Sequence, residues 1–566
     1  MNLQKIQLPE TDDTESRLMY VRGRNNRLFS DHLAVKRGGS VSFDTFYNFF
    51  SVEKWNRYTQ FSDLWLVVEI KGHVVLELIQ IYTRGIVTVS KKLHQVELDA
   101  CERKRYRFLV PHKERKGNIY FRLAYMSDGS FYCGNFETDS RPVNRVKLAA
   151  VVCTFHREAY VRATIKLLQE EVFCNEKSPL NGSLKLFLID NGQSGIYTKL
   201  SSDDIFVYEN PNTGGSGGFS RGMLEVLRKR QEYPATHVIL MDDDIKIKIS
   251  SLECNFAFLC YLRKEYRYAF IGGSILQMGK PFVQEEFGGR FRFTGGFGIH
   301  HGRDLRNRKS VLTNDRGKQA GYIAWCYCCI PLWAIMERGL PLPLFLHHDD
   351  VEYAMRIADG CICLNGICVE HEARTGKWPS ANAYYNVRNL LIVLALHKPY
   401  GYKWLLNIYI LMKVGMNLYL GRYLDAGLNL EGVKDFLRGS AWLVGCSCME
   451  KHALIREKGC HYEKRDADVR LLKRQEGYVT FKIGIDPLWK VCLHSRILYQ
   501  NRNGEFLSIK KNKQNTKEIL KQTVMELKEM NKEYRKIRAD WQNAVSVLIS
   551  ENFWIAYLER QGRKLP

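Results

Sequence analysis

The sequence predicts an α/β core with a parallel sheet, preceded by an antiparallel β-sandwich and followed by a helical region. Three observations carry this. Between about 40 and 139, short β-rich runs at 42–46, 64–70 and 74–78 are separated by Lys-Gly, Arg-Gly and Asp-Gly breaks. From 146 onward, strand-like and helix-like runs alternate, and past about 398 the pattern is helical with no further alternation. The domains that follow are 1–145, 146–400 and 401–566. A chain of 566 residues exceeds one core, and its 45% apolar content can fill several.

The first domain reads as a packing or assembly module, with glycan binding through exposed aromatics as the alternative. In the second, a buried strand at 146–154 leads to a helix at 158–170, then to strands at 184–190 and 205–208. A glycine-rich loop opens a helix at 221–231, and a further apolar run at 237–241 ends in Asp242-Asp243-Asp244. Open α/β sheets bind ligands beyond the carboxyl ends of their strands. Arg157, the pair Asp190-Asn191 and the aspartate triplet all fall there.

Side chains alternate along a strand, so Asp242 and Asp244 project to one side and offer hard oxygen ligands to a divalent cation. A solvated turn is the competing account. Glycines in the run Asn212-Thr213-Gly214-Gly215-Ser216-Gly217-Gly218-Phe219-Ser220-Arg221 would let the backbone approach an anion at a helix start. The run has neither the Lys-Ser/Thr of a Walker loop nor dinucleotide spacing, and alone it equally describes a flexible loop. Asp349 and Asp350 precede a helix, where they either serve the macrodipole or take a proton from an attacking hydroxyl. His371 is either structural or a third metal ligand.

Net charge is +23, from 84 Lys+Arg against 61 Asp+Glu, which suits an anionic partner. Zinc-finger spacing, an RNA-recognition motif and a dense basic arm are all missing from the text, so nucleic acid is not the expected one. The 16 cysteines lack paired zinc knuckles and read as reduced, buried thiols. Residues 1–13 have no secretory pattern, so a cytoplasmic protein is expected. Lys398, Lys403 and Lys413 interrupt the apolar stretch at 390–421 before it reaches the roughly 20 residues of a spanning helix. That stretch is either a buried helix or one lying on an anionic inner-membrane surface. Leu520, Val524, Leu527, Tyr534, Ile537 and Trp541 form one helical stripe expected to dock on its own domain.

Together these residues resemble a family 2 glycosyltransferase of the GT-A (Rossmann-like) fold, and more closely the bacterial polymerising galactofuranosyltransferases. The resemblance runs through the glycine run at 212–221, Met241-Asp242-Asp243-Asp244-Ile245, Leu342-Pro343-Leu344-Phe345 with Asp349-Asp350, His371, and Tyr384-Tyr385-Asn386-Val387-Arg388-Asn389. It implies Mn²⁺ or Mg²⁺ on Asp242, Asp244 and His371, and Asp350 as general base. It implies a UDP-sugar donor, UDP-galactofuranose, held by Arg157, Asp190, Asn191, Asn212, Gly214, Gly215, Gly217, Gly218 and Asp243, with Trp325 beside the sugar. Asp349 would bind the acceptor, a glycan or glycolipid, and the reaction would invert the anomeric carbon. A homo-oligomer peripheral to the membrane is compatible with this layout. The chain departs from the family at Gly289, Cys326, Arg374 and Asn386, which implies a different acceptor sugar or linkage. Alternatives are another nucleotide sugar, giving galactopyranosyl or rhamnosyl transfer, and a non-catalytic glycan-binding scaffold.

Overall fold

The computed structural model describes residues 1–562 except 12, 86, 114, 317–318, 373–380, 460–476, 484, 492–493, 502–503 and 505. The N-terminal module pairs β1 (Asn2–Lys5), β2 (Arg22–Leu28), β3 (Leu33–Ser42), β4 (Trp65–Arg84), β5 (Val87–Leu109), β6 (Asn118–Tyr125) and β7 (Gly129–Glu137), all antiparallel. Strand β4 meets β7 at Leu66↔Phe136 and β6 at Leu76↔Leu123, while β3 meets the same two strands at Leu33↔Phe131 and Val41↔Leu123. The runs at 64–70 and 74–78 are therefore one strand, and the Lys71-Gly72 break is a corner within it. Gly72 sits at φ 110°, where a Cβ would lie 3.0 Å from the Asp128 carbonyl oxygen. A corner and a turn carry the same glycine signal.

Trp55 joins this module to the core: it stacks on Phe50 and meets Phe258 edge-on at 5.1 Å. The core strands are β8 (Leu148–Thr154), β9 (Leu184–Asp190), β10 (Ile205–Glu209), β11 (His237–Asp242), β12 (Lys246–Ile247), β13 (Phe270–Gln277), β14 (Lys280–Phe287), β15 (Gly289–Arg292), β16 (Gly295–Gly298), β17 (Arg303–Asp304), β18 (Tyr327–Pro331) and β19 (Cys361–His371). Their order is β10-β9-β8-β11-β18-β13-β14-β17, with β19 against β12 and β13 and β15–β16 a separate hairpin. Only the run from β10 to β11 is parallel along this order, because β18 lies antiparallel to β11. The sheet is mixed rather than parallel. Strand β18 is apolar and wholly buried, and such a run does not encode its direction.

The C-terminal part is not purely helical. Helices Asn382–His397, Lys403–Tyr419, Tyr423–Leu437, Cys448–Gly459, Lys513–Leu548 and Glu551–Gly562 accompany a small sheet of β20 (Val479–Lys482), β21 (Arg496–Gln500) and β22 (Phe506–Lys510). In the long helix, Tyr534, Ile537 and Trp541 are buried, but Leu520 and Val524 face solvent and Ile519 and Thr523 pack in their place. The stripe was one residue out of phase in its first turns. Among the described residues, no helix is long and apolar enough to cross a membrane.

Candidate active site

Strand register brings the predicted polar residues to one end of the sheet. Thr154 pairs with Asp190, Asp190 with Glu209, and Cys153 with Asp242. Immediately after the aspartate triplet, β12 pairs antiparallel with β19, Lys246 opposite Glu370, so the last residue of β19 returns to the triplet. That residue is His371. Its Nε2 lies 3.8 Å from Asp242 Oδ2 and 3.5 Å from Asp244 Oδ1. One ligand atom from each of these three residues falls within 4.8 Å of the others.

The chemistry of this set fits a divalent cation. His371 Nδ1 is 2.8 Å from the Glu372 carbonyl oxygen, so it carries the proton and donates, leaving Nε2 as the ligand atom. Asp243 turns away and pairs with Arg157 at 3.3 Å, and the same guanidinium pairs with Asp244. Burial pushes the Asp243 carboxyl up to about 6 despite Arg157.

The glycine run is helical from Gly214, in the helix Gly214–Arg228, not a loop opening a helix at 221. Its glycines divide by role. Gly214 has φ 72° and packs where a Cβ would lie 2.2 Å from the Phe345 carbonyl oxygen. A Cβ on Gly217 would meet Thr213 Oγ1, at the cap of its own helix, at 2.0 Å, and one on Gly218 would meet Cys153 Sγ at 2.1 Å, so Gly218 lets the helix sit close on β8. Gly215 alone of the four has open space. Asn191 is consumed internally: its Nδ2 donates to the Gly214 carbonyl at 3.0 Å and its Oδ1 accepts from Asn210 at 2.8 Å. Asp190 accepts from Gly192 N, Ser194 N and Ser194 Oγ at 2.6 to 2.9 Å, and Asn212 Oδ1 accepts from Gly214 N at 3.0 Å. These polar residues shape the loops around the strand ends.

A cavity of about 470 Å³ opens here, lined among others by Gly215, Phe219, Asp242, Trp325, Asp349, Asp350, His371 and Asn386. It unites the metal-type cluster with the acidic pair. Asp349 and Asp350 form the first turn of the helix Asp349–Ile357, where the macrodipole favours carboxylates. Val351 N donates to Asp350 Oδ1 at 2.8 Å. Burial, and then the charge of Asp350, hold the Asp349 carboxyl well above the ordinary range. Trp325 is buried edge-on to Phe219 and Tyr353, at 5.5 and 5.9 Å, and its Nε1 has no hydrogen-bond partner among the described residues. A buried, unsatisfied donor in a cavity wall is costly unless a ligand acceptor meets it.

Residues 3–134 match the family model described as Galactofuranosyltransferase 2 N-terminal. Galactofuranosyltransferase GlfT2 of Mycolicibacterium smegmatis is 24% identical over 465 residues, covering 78% of this chain and 69% of that protein. Galactofuranosyltransferase GlfT2 of Mycobacterium tuberculosis is 25% identical over 388 residues, covering 64% of this chain and 60% of that protein. The chain is thus similar to galactofuranosyltransferases over most of its length, and the family-model match lies in its N-terminal module. It spans less than two thirds of the second relative's length. Among solved structures, the mannosyltransferase PcManGT from Pyrobaculum calidifontis, in complex with GDP-Man and Mn²⁺, matches at 12% identity and a TM-score of 0.31, over 56% of this chain and 83% of that one.

Within this galactofuranosyltransferase-like chain, the four departures noted in the sequence fall differently. Cys326 and Asn386 line the cavity. Gly289 packs against Tyr322, where a Cβ would lie 2.1 Å from the ring, so a carboxylate there would have to displace that tyrosine. Arg374 lies outside the described residues. Sequence reasoning used Arg388 and Asn389 only as motif letters, and gave them no task. Both are buried and both bond the backbone just before Asp349. The signal that could have found them is the pairing of polar Arg-Asn with an otherwise apolar helix, since buried polar groups need partners.

Proposed function

We propose that this chain is a metal-dependent, inverting transferase that moves galactofuranose from UDP-galactofuranose to a hydroxyl of a lipid-linked cell-surface glycan. The observation that carries this is one cavity lined by Asp242 and His371, which cluster with the buried Asp244, and by Asp349 and Asp350. Asp242, Asp244 and His371 would hold Mn²⁺ or Mg²⁺, whose chemistry is to neutralise charge building on a departing diphosphate. Arg157 pairs with both Asp243 and Asp244 and so anchors the end of the triplet. The donor would lie along the ends of β8, β9 and β10, over Gly215, with its sugar against Trp325.

Asp350 would accept the proton of the acceptor hydroxyl as that oxygen attacks the anomeric carbon from the face opposite UDP. Asp349, which keeps its proton at higher pH than an ordinary carboxyl, would hold the acceptor by hydrogen bonding. The helix Lys403–Tyr419 turns Trp404, Ile408, Leu411, Met412 and Met416 to solvent beside Lys403. That face supports attachment to an anionic inner-membrane surface, where a lipid-linked acceptor resides. The division at 145 and 400 belongs to the same proposal.

The test is to incubate the full chain with Mn²⁺, a synthetic lipid-linked acceptor and a panel of nucleotide sugars, and to read UDP release and product linkage. Release and transfer with UDP-galactofuranose alone are expected. Turnover with UDP-galactopyranose or a rhamnosyl nucleotide instead would reassign the donor, and no transfer from any donor would overturn the reading.

A further inference from the structure

The turn that delivers Asp349 and Asp350 is sterically costly, and we propose that Asn389, oriented by Arg388, is the positioning residue that sets this turn for transfer. The proposal rests on the reading of Asp350 as the base. Phe345, His347 and His348 have φ of 71°, 65° and 63°. Side-chain-bearing residues avoid this left-handed region, and three within four positions do not persist without external support.

The support is specific. Asn389 Nδ2 donates to the carbonyl oxygens of Leu344, Leu346 and His347 at 3.1, 2.6 and 2.8 Å. Arg388 Nη2 donates to the Leu344 carbonyl at 2.6 Å. Ser216 N, from the glycine-rich helix, takes the Phe345 carbonyl at 3.2 Å. Every carbonyl from 344 to 347 is therefore drawn inward by a named donor, which is what forces the backbone between them into the left-handed conformation. The next residues emerge at the cavity as the start of the Asp349 helix.

Arg388 decides which way the Asn389 amide points. Its Nε donates to Asn389 Oδ1 at 2.8 Å, leaving Nδ2 as the group aimed at the turn. The guanidinium is itself fixed: Nη1 donates to Tyr384 Oη at 3.2 Å, and Tyr384 Oη donates to Asp435 Oδ2 at 2.7 Å. Its carbon lies 5.1 Å from the ring centres of both Tyr384 and Tyr385. Neither Arg388 nor Asn389 lines the cavity, so they act through the turn and not on substrate. The motif Tyr384-Tyr385-Asn386-Val387-Arg388-Asn389 thus combines one cavity residue, Asn386, with a buried clamp.

The test compares Asn389→Ala, Asn389→Ser and Asp350→Asn in the full chain, reading kcat for transfer, KM for the acceptor, and UDP affinity in the presence of Mn²⁺. Misplacing a reacting group by about 1 Å can cost about 10²-fold in rate. The Asn389 variants are expected to lose roughly that factor in kcat, with UDP affinity within about 3-fold of wild type, because the metal-type cluster is built on other elements. If neither Asn389 variant folds, Arg388→Lys is read the same way, with an expected kcat loss of about 10-fold, since it removes the fork that aims the amide. Wild-type kcat in a folded Asn389 variant would overturn the proposal. So would loss of UDP binding in step with transfer in every variant, which marks a general fold support. If Asp350→Asn transfers normally, it is the assignment of the base that fails, and that outcome is distinguishable from failure of the clamp.

Discussion

One wall of the cavity is made of strand ends and the other of a turn, and they hold their carboxylates by different means. Asp242 inherits its position from the end of β11, whose register with β8 and β18 is pinned by paired backbone groups along its length, and Asp244 sits in the short turn between β11 and β12. His371 inherits its position from β19 in the same way. Asp349 and Asp350 follow a turn with three left-handed residues, and that turn depends on a few side-chain donors from a distant helix. The comparison teaches that the metal-type cluster is set by the sheet and the short turn leaving it, whereas the acidic pair is set by contacts that can be removed one at a time. Changes in acceptor preference should therefore arise on the turn side without disturbing the metal-type cluster.

The largest effect that would sharpen this contrast is on Asp350. Asp350→Asn should lower transfer by about 10²- to 10⁴-fold while UDP binding persists, and calorimetry with UDP and Mn²⁺ beside a transfer assay checks both. An equal fall in both quantities would break the division between the walls. Next comes the cluster: Asp244→Ala or His371→Ala should abolish the dependence of UDP affinity on Mn²⁺, and chelation of the wild-type protein should do the same. UDP affinity untouched by chelation would remove the metal from the donor wall.

A smaller effect separates the glycines. Gly218→Ala places a methyl 2.1 Å from Cys153 Sγ and should destabilise the fold by about 1–3 kcal/mol through overpacking. Gly215→Ala meets no atom within 4 Å and should leave stability within about 1 kcal/mol of wild type, because alanine suits a helix better than glycine. Urea unfolding measures both. A pH-dependent effect of similar size concerns Asp243. Its folded carboxyl titrates near 6 against 3.8 when unperturbed, so the folded state holds the proton more tightly and stability falls as pH climbs through that window. Asp243→Asn removes the cost. The metal-free variant should be more stable than wild type at pH 8 by up to about 3 kcal/mol, read by urea unfolding, and the gap should close below pH 4. A constant difference across that range would show that the Asp243 charge carries no penalty.

Much of the site was legible in the sequence because a strand obeys local rules. An apolar run ending in polar residues located the carboxyl ends of β8, β9 and β11 and put Asp242 at the last of them; Asp244 lies in the turn beyond β11, so a turn and not strand alternation brings it beside Asp242. The glycine run was harder to read, since a flexible loop and a closely packed helix favour the same residue; only the neighbours of Gly217 and Gly218 tell them apart. The direction of β18, the corner at Gly72 and the small sheet of β20 to β22 were not readable for related reasons. A buried strand carries no sign of its orientation, and short strands in a polar, helix-rich stretch leave little periodicity.

By itself the amino-acid sequence determined the α/β core, the aspartate triplet and the acidic pair, because each is written in residues adjacent along the chain. Only the tertiary structure decided that His371 returns to the aspartates, that Trp325 lines the cavity, and that Asn389 grips the turn before Asp349. These are meetings of residues more than 40 positions apart, from 371 to 244 and from 389 to 346. Sheet register and helix packing bring them together, and neither is encoded in any local stretch of the chain.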